Sequence, residues 1–347
     1  MIIDNQFNLK KMDSEITNRC NAACTLCPRT GTYPGGLGKE VYNSGPLDIS
    51  LDVIEECLGW PIKKWQYCGN YGDPMAHPKV FDIAEMVSKS TVDAQQFDTN
   101  GSMRSTQFWK ELGGLPNNMI VNFALDGLSD TNHIYRTNTN FEKIIENAKA
   151  FMAGGGIARW IFIVFNHNEH QVEEARDMAR KLGFDNFAFK KTSRQLEKGS
   201  TTAKKEYKKS SKSETVTKSV TATKRPEFQA DTIKRGVVEH VVSCKALGQK
   251  KMYVTPKGQL IPCCHVHQDL FKNEYNPEFR SKNDEMNFTT WLDENNVKYD
   301  LNKYTIFEVM KSYRENLDSI EDRWFRRSLR SCNKKCGSNL RNEVVNY

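Results

Sequence analysis

Between residues 11 and 191, short runs of apolar, β-branched and aromatic residues alternate with segments in which apolar residues recur at helical spacing. The runs are mostly continuous rather than alternating, which is typical of strands covered on both faces. The predicted strands are Lys11–Thr17, Trp65–Gly69, Ala94–Thr99, Met119–Asp126, Ala158–Asn166 and Asn186–Lys191. The predicted helices are Leu51–Leu58, Pro78–Ser88, Thr106–Leu112, Asn140–Ala153 and Glu169–Leu182.

The last of these helices shows the periodicity most clearly. Val172, Ala175, Ala179 and Leu182 share one helical face, and Gly183 follows at the position of a C-terminal cap. Six βα repeats predict the α/β class, with a parallel sheet and right-handed crossovers. The pattern fits either an open doubly wound sheet or an incomplete βα barrel. In both, the chemistry lies at the carboxyl ends of the strands.

The pattern changes at residues 195–225, which are rich in Ser, Thr and Lys and contain a single aromatic residue. Nine Lys or Arg against three Glu give this stretch a net charge of +6, so it holds most of the chain's +7. Because it has little apolar area to bury, we expect a mobile linker. The missing aromatic residues argue against a nucleic-acid-binding arm. The predicted segments are therefore residues 1–194, a basic linker over 195–228, and a smaller domain over 229–347.

The ten cysteines are about 3% of the residues, far below the share in a disulfide-stapled secreted scaffold. The N-terminus has no export signal, and the longest apolar run, Trp160–Phe165, is far shorter than the roughly 20 residues of a membrane span. We therefore expect a cytoplasmic protein without a membrane partner. In a reducing compartment, cysteines at short fixed spacings favour a metal site over disulfides.

Three cysteines follow the first predicted strand at the spacing CxxxCxxC: Cys20, Cys24 and Cys27. A loop of this length can bring three thiols to one centre. A closed structural zinc site needs four protein ligands, and no nearby His supplies the fourth. A [4Fe–4S] cube held by three cysteines keeps one iron open for another ligand. Zinc completed by a remote residue remains the alternative interpretation.

Polar motifs end the next predicted strands in turn. Tyr71-Gly72-Asp73-Pro74 follows the second strand, Thr99-Asn100-Gly101 ends the third, and Leu125-Asp126-Gly127 ends the fourth. His133 and Arg136 come shortly after, and Asn166 ends the fifth. Each motif alone fits a strand-end turn. Together, at successive carboxyl ends of a parallel sheet, they predict one site.

In these motifs and their order the sequence resembles the radical S-adenosylmethionine (SAM) superfamily over about residues 11–195. The resemblance implies a partial (βα)6 TIM-type barrel in which Cys20, Cys24 and Cys27 hold a [4Fe–4S] cluster whose open iron binds SAM. It implies that Gly72 and Asp73 lie at the SAM amino group, Asn100 near SAM, and Arg136 at the SAM carboxylate. Asn166 would contact the adenosine, although a plain turn Asn fits that position too. The chain departs from the family pattern at Tyr71, in place of a Gly, and at Ala124, in place of a Ser.

A second set of cysteines follows the linker: Cys244, Cys263, Cys332 and Cys336. Residues 252–262 read as a β-hairpin with a Pro-Lys-Gly turn, which would bring Cys244 and Cys263 close together. The spacing of Cys244, Gly258 and Cys263 resembles the opening of the SPASM and twitch extensions of the same superfamily. This implies a small α+β domain with one auxiliary [4Fe–4S] cluster, and a zinc site is the alternative.

Five residues near these cysteine sets have other predicted roles. Cys57 and Cys68 are expected to be core residues, because one lies in an amphipathic helix and the other on a buried strand. Cys264, His265 and His267 fit spare ligands or active-site groups equally well.

The resemblance implies an enzyme that reductively cleaves SAM to a 5′-deoxyadenosyl radical and removes hydrogen from a substrate. With one auxiliary cluster, a two-electron oxidation of a small hydroxylated molecule is the first hypothesis. It is favoured because the predicted barrel starts about ten residues after Met1, so that we expect no N-terminal peptide-recognition domain. Crosslinking or epimerisation of a peptide is the second, and a non-catalytic iron–sulfur electron carrier the third. The expected partners are a small-molecule or peptide substrate and a flavodoxin- or ferredoxin-type reductant.

Overall fold

The computed structural model describes residues 9–27, 29, 47–191, 202–208, 215–228, 241–242, 246, 249–264, 266–267, 288–316 and 337–338. These residues belong to two compact units that are discontinuous in sequence. The central unit comprises residues 15–48 and 66–232, and the terminal unit comprises residues 1–14, 49–65 and 233–347. The domain boundaries at residues 194 and 228 stay a prediction.

The secondary structure of the described residues follows the alternation seen in the sequence. The strands are β1 (Lys11–Ser14), β2 (Lys64–Tyr67), β3 (Ala94–Thr99), β4 (Asn118–Ala124), β5 (Ile157–Ile163), β6 (Asn186–Lys190), β7 (Thr202–Lys208), β8 (Thr215–Thr221), β9 (Val241–Val242), β10 (Lys251–Val254), β11 (Leu260–Ile261) and β12 (Gly337–Ser338). The helices are α1 (Leu51–Leu58), α2 (Val80–Ser88), α3 (Thr106–Gly113), α4 (Asn132–Tyr135), α5 (Phe141–Ala153), α6 (Val172–Leu182), α7 (Phe288–Glu294) and α8 (Ile306–Glu315).

The predicted α/β fold of six strands with intervening helices is confirmed. In the central unit the sheet order is β2-β3-β4-β5-β6, and the pairs β3–β4, β4–β5 and β5–β6 are parallel. The main deviations are at the carboxyl ends of β1, β2, β4 and β5, where the strands stop two or three residues before the predicted ends. The polar residues there leave the ladder to form the loops of the site. Gly183 caps α6 in the left-handed conformation, at φ 88°.

One face of the central sheet packs on helices through large aromatic side chains. Trp109 of α3 lies 5.2 Å from Phe123 of β4, measured between ring centroids, and Phe151 of α5 also contacts Phe123. Tyr67 and Phe97 stack on the same face at 3.9 Å. Side chains of a strand alternate between faces, so Gln66, Asp98 and Asn122 lie on the opposite face.

The terminal unit contains the predicted hairpin. Its strand order is β11-β10-β1-β2, with β10 parallel to β1 and antiparallel to β11. The turn between β10 and β11 includes Gly258 at φ 79°, where a side chain would be strained. Helix α8 starts with a capping box of Thr305 and Glu308, and Tyr313 donates from its hydroxyl to the carbonyl of Leu260 at 2.9 Å.

The expectation of a mobile linker is wrong for residues 202–208 and 215–221, which pair as the antiparallel strands β7 and β8. The Thr and Val content of β8 favours a strand despite the charge. The end of β8 is anchored, because Val220 is buried in a cluster with Cys24, Leu26, Tyr135 and Phe165. The amide of Asn166 also donates to the carbonyl of Thr221 at 3.0 Å.

Among the helices of the described residues, none has the length and apolar character needed to cross a membrane.

Candidate active site

The loop after β1 holds the three cysteines of the CxxxCxxC motif; we call residues 18–27 the cysteine loop. Cys24 is buried, and Cys20 and Cys27 are half-buried. The amide of Cys27 donates to the carbonyl of Cys24 at 3.1 Å, and the amide of Ala22 donates to Sγ of Cys20 at 3.4 Å. Burial raises the pKa of Cys20 well above its usual value, and the nearby Asp73 carboxylate and the Cys24 and Cys27 thiols raise it further. The three thiols therefore lie close enough to repel one another when ionised.

The donor set of this loop fits an iron–sulfur cluster. Three thiols in one short loop, one of them accepting a backbone N–H, are the ligands that such clusters use. Within the described part of the chain, no three His, Cys, Asp or Glu side chains already surround one point as metal ligands would. Cluster binding by Cys20, Cys24 and Cys27 therefore stays a prediction.

The turn after β2 approaches the cysteine loop so closely that it requires glycine. A Cβ added to Gly72 would lie 1.9 Å from the carbonyl oxygen of Thr17. The amide of Asp73 donates to the carbonyl of Arg19 at 2.8 Å. The predicted site residues Gly72 and Asp73 thus lie against the start of the cysteine loop.

A buried carboxylate that the sequence reasoning missed holds this turn. Glu15 accepts the amides of Asn70 at 3.2 Å, Tyr71 at 2.8 Å and Gly72 at 2.9 Å. Its side chain has no exposed surface. Because a carboxylate is an acceptor for several donors at once, Glu15 satisfies backbone groups that a tight turn would otherwise leave unpaired.

Replacing Glu15 with Gln should destabilise the protein by about 1–3 kcal/mol, because one carboxylate oxygen becomes an NH₂ group that faces backbone donors. The loss is expected in urea-induced unfolding, together with weaker SAM binding. Glu146, exposed on α5, provides the control, since Glu146→Gln should change stability by less than about 0.5 kcal/mol. Equal stability of the two variants would contradict this role for Glu15.

Asp73 connects the β2 turn to the end of β3. Its carboxylate accepts from the Thr99 hydroxyl at 2.8 Å, the Asn100 amide at 2.8 Å and the Asn100 side chain at 2.6 Å. Burial raises the pKa of Asp73, and these hydrogen bonds, with the Met75 amide and the charge of Arg136, counteract the rise. The side-chain Nδ2 of Asn100 also lies 3.9 Å from Sγ of Cys20. Asp73 and Asn100 are therefore brought together beside a cysteine of the motif.

Arg136 is held against the other side of the cysteine loop. Its Nε donates to Asp126 at 2.6 Å, and its Nη1 lies 3.9 Å from Sγ of Cys24. Asp126 is fully buried and also accepts the amide of Ile163 at 2.6 Å. Burial alone would lower the pKa of Arg136, but Asp126 and Cys24 raise it above its usual value. One edge of the guanidinium is thus fixed by Asp126, and the other is directed toward the thiol.

Asn166 is exposed, and its backbone amide donates to the carbonyl of Thr221 at the end of β8. The buried Asn168 organises this turn, since its side chain accepts the Phe165 amide at 2.7 Å and donates to the carbonyl of Asp126 at 2.8 Å. His167 lies between these two asparagines in the sequence. Burial lowers the pKa of His167 to about 4, and the charges of two nearby histidines contribute to the decrease. A contact between Asn166 and adenosine stays a prediction.

A cavity of about 530 Å³ opens beside Cys20. Its lining residues are Arg19, Cys20, Arg29, Leu47, Met75, Ala76, Pro78, Met103 and Arg104. They include three arginines and no acidic residue. Arg104 is held by the carbonyls of Met75 at 2.8 Å and His77 at 2.6 Å. Arg19 is already paired with Asp48, which lies outside the lining, at 2.9 Å, and this ion pair offsets part of the positive charge.

The second cysteine set falls partly outside the described residues, which exclude Cys244, Cys332, Cys336 and His265. Cys263 and Cys264 are half-buried just after β11. His267 is buried, and its Nδ1 lies 3.2 Å from the hydroxyl of Tyr253. Burial lowers its pKa to about 3, and Lys257 contributes. Cys57 and Cys68 are both buried, as expected of core residues.

Comparisons with known proteins agree with the motifs. Residues 14–182 match the family model described as "Radical SAM superfamily". A tungsten-containing aldehyde ferredoxin oxidoreductase cofactor-modifying protein of Pyrococcus furiosus is 28% identical over 126 residues, which are 36% of this chain and 33% of that relative. The match thus spans about a third of the curated relative's length.

The structure is also similar in fold to Streptococcus suis SuiB. The form bound to S-adenosylmethionine has a TM-score of 0.50 and 14% identity, over 79% of this chain and 68% of SuiB. The form bound to the precursor peptide SuiA has a TM-score of 0.50 and 13% identity, over 78% of this chain and 61% of SuiB.

Proposed function

We propose that this chain, whose residues 14–182 match the radical SAM superfamily, is a radical SAM enzyme in which Cys20, Cys24 and Cys27 bind the [4Fe–4S] cluster and SAM binds beside them. The arrangement that supports this is the approach of two polar side chains to the thiols. Asn100 follows β3 and Arg136 follows α4, and each lies 3.9 Å from a cysteine sulfur. Cys20, Cys24 and Cys27 would hold a [4Fe–4S] cluster, and the chemistry it would supply is the one-electron reduction that cleaves SAM to a 5′-deoxyadenosyl radical able to remove a hydrogen atom from the substrate.

The protein's own residues bind and orient. Asp73 fixes Asn100 next to Cys20, and Asp126 fixes Arg136 next to Cys24. We assign Arg136 to the SAM carboxylate, because a guanidinium with one edge already fixed loses little freedom when the other edge binds. Gly72 and Asp73 would form the turn at the SAM amino group. Val220, buried against Cys24, keeps water from that side of the loop.

For the substrate, we propose a small hydroxylated molecule that undergoes a net two-electron oxidation. An auxiliary [4Fe–4S] cluster on Cys244, Cys263, Cys332 and Cys336 would accept the second electron, and a flavodoxin- or ferredoxin-type protein would supply the first. The cysteine count supports one such cluster rather than two. Zinc bound by the same four cysteines would remove this route, because zinc has no redox chemistry.

Peptide modification is the second candidate. It is favoured by the fold similarity to SuiB, one structure of which is bound to the precursor peptide SuiA. The curated relative is named a cofactor-modifying protein, which also favours a substrate larger than a small hydroxylated molecule. A gene for a small precursor peptide beside this one would support the peptide candidate.

The deciding experiment is anaerobic reconstitution followed by reduction with dithionite in the presence of SAM. We expect 5′-deoxyadenosine, and its absence from a protein with filled clusters would refute the enzyme proposal in favour of an electron carrier. Iron and sulfide analysis separates the cluster assignments. About eight of each per chain supports two cubes, and about four supports one. Stoichiometric zinc would support the alternative interpretation.

A further inference from the structure

Three polar side chains form a hydrogen-bonded row across β2, β3 and β4, on the sheet face turned away from the helices. Asp98 is directly opposite Asn122 in the register of β3 and β4. The side-chain amide of Gln66 donates to one carboxylate oxygen of Asp98 at 2.7 Å, and that of Asn122 donates to the other at 2.6 Å. The carboxylate is thus held from both sides by neutral amides.

The row differs from the polar pair on the helix-covered face. There, Tyr67 donates to Gln95 at 2.7 Å, Gln95 donates to the carbonyl of Ala84, and neither side chain has exposed surface. Such a pair is a closed structural element. Gln66 and Asp98 are instead half-buried, so solvent or a ligand can reach them.

The negative charge of Asp98 is not neutralised within the described residues. Its side-chain partners there are the two amides, and no Lys, Arg or His forms an ion pair with it. A carboxylate has about four acceptor positions, and the two amides occupy two of them. The amide oxygen of Asn122 adds an acceptor beside it. The row therefore favours a ligand that donates hydrogen bonds.

The row also lies next to the proposed radical-forming residues. Asp98 is the second-last residue of β3, and Asn100 is the first residue after the strand, so at the rise of a strand their Cα atoms are about 7 Å apart. Asn100 in turn lies 3.9 Å from Sγ of Cys20. A molecule bound on the row would thus be within reach of a radical formed beside the cysteine loop.

We infer that Asp98, positioned by Gln66 and Asn122, binds a hydroxyl or ammonium group of the substrate. The inference rests on the proposed function and names the recognition group of the same site. It selects substrates rich in hydrogen-bond donors, such as sugars and amino sugars, and disfavours an anion at this position because the carboxylate repels it.

The test uses the reconstituted holoenzyme with SAM and three probes that share one ring: glucosamine, glucose and glucuronate. Binding is measured by ligand-observed NMR. We expect glucosamine or glucose to bind and glucuronate to bind at least about 10-fold more weakly, a difference that corresponds to about 1.4 kcal/mol. Preferential binding of glucosamine identifies the ammonium as the recognised group, and equal binding of glucose identifies the hydroxyl.

Asp98→Asn should weaken binding at least about 10-fold, because it removes the charge and adds a donor. Gln66→Glu should also weaken binding, because it replaces the amide that positions Asp98 with a second carboxylate, and two carboxylates at this distance repel or share one proton. The matched control is Asp185→Asn, a half-exposed carboxylate paired with Arg159, which should leave all affinities unchanged. Failure of all three probes to bind, or unchanged affinity in both a folded Asp98→Asn and a folded Gln66→Glu, would overturn the inference.

The release of 5′-deoxyadenosine without any probe is measured on the same preparations. It tests the proposed function alone, since Asp98 is not assigned to SAM or the cluster. A protein that cleaves SAM but binds no probe contradicts only the inference. A protein that binds probes through Asp98 but cleaves no SAM contradicts only the proposed function.

Discussion

Cys24→Ser is expected to abolish reductive SAM cleavage and to lower the iron content by one cluster. Cys24 is buried, packs with Leu26, Tyr135 and Phe165, and lies 3.9 Å from Nη1 of Arg136. A serine hydroxyl fits the space but does not replace a thiolate ligand. The loss should exceed the roughly 10–100-fold caused by removing an outer-shell partner of a metal ligand. It is measured as 5′-deoxyadenosine per chain after anaerobic reduction.

Cys57→Ala is the matched control for this experiment. Cys57 is also fully buried, but it lies on α1, and burial raises the pKa of its thiol well above the usual value. Its loss should cost about 1 kcal/mol of stability and leave the iron content and SAM cleavage unchanged. If Cys24→Ser retains full iron and activity, the assignment of the cysteine loop to the cluster is refuted.

Asp126→Asn should weaken SAM binding by at least about 10-fold and destabilise the fold by about 3 kcal/mol. Asp126 is fully buried and accepts both the Arg136 Nε and the Ile163 amide. The amide variant retains one acceptor but leaves the Arg136 charge without its partner. The fork of Arg136 would then no longer be fixed beside Cys24. SAM affinity is measured by equilibrium dialysis, and stability by urea unfolding.

The control is Asp177→Asn, whose carboxylate is exposed on α6 and pairs with Arg180 one helical turn further on. An exposed pair of this kind contributes about 0.5 kcal/mol. A normal SAM affinity in Asp126→Asn, with the expected loss of stability, would show that Asp126 supports the fold and not the SAM site. Equal stability of both variants would contradict the buried pair itself.

The sequence was sufficient to predict the strands and helices of residues 11–191, because continuous apolar runs alternate there with segments of helical hydrophobic period. β3 and α1 were predicted with the bounds that the structure has. The motif residues were predictable for a similar reason, since successive carboxyl ends of a parallel sheet meet at one edge. Asp73, Asn100 and Arg136 accordingly lie against the cysteine loop.

What the sequence did not reveal are contacts between residues far apart in the chain. Glu15 belongs to no local motif, and its partners are backbone amides 55 to 57 residues away. The only available signal was an acidic residue at the end of an apolar strand. Asn168 was overlooked in favour of Asn166, because both asparagines lie in the same turn and only their burial in the structure distinguishes them. Strands β7 and β8 were missed because their composition is typical of a solvated linker. Their pairing depends on the burial of Val220 at the end of β8, which composition does not reveal.

That anchor bears on how the chain can be divided for experiments. A fragment that ends at the predicted boundary, residue 194, lacks Val220 and would leave an apolar surface open to water beside Cys24. Oxygen and oxidants would then reach a loop that the intact chain covers from that side. A fragment intended to retain the radical-forming half must therefore extend through Phe228, the last residue of the short 3₁₀ turn that follows β8.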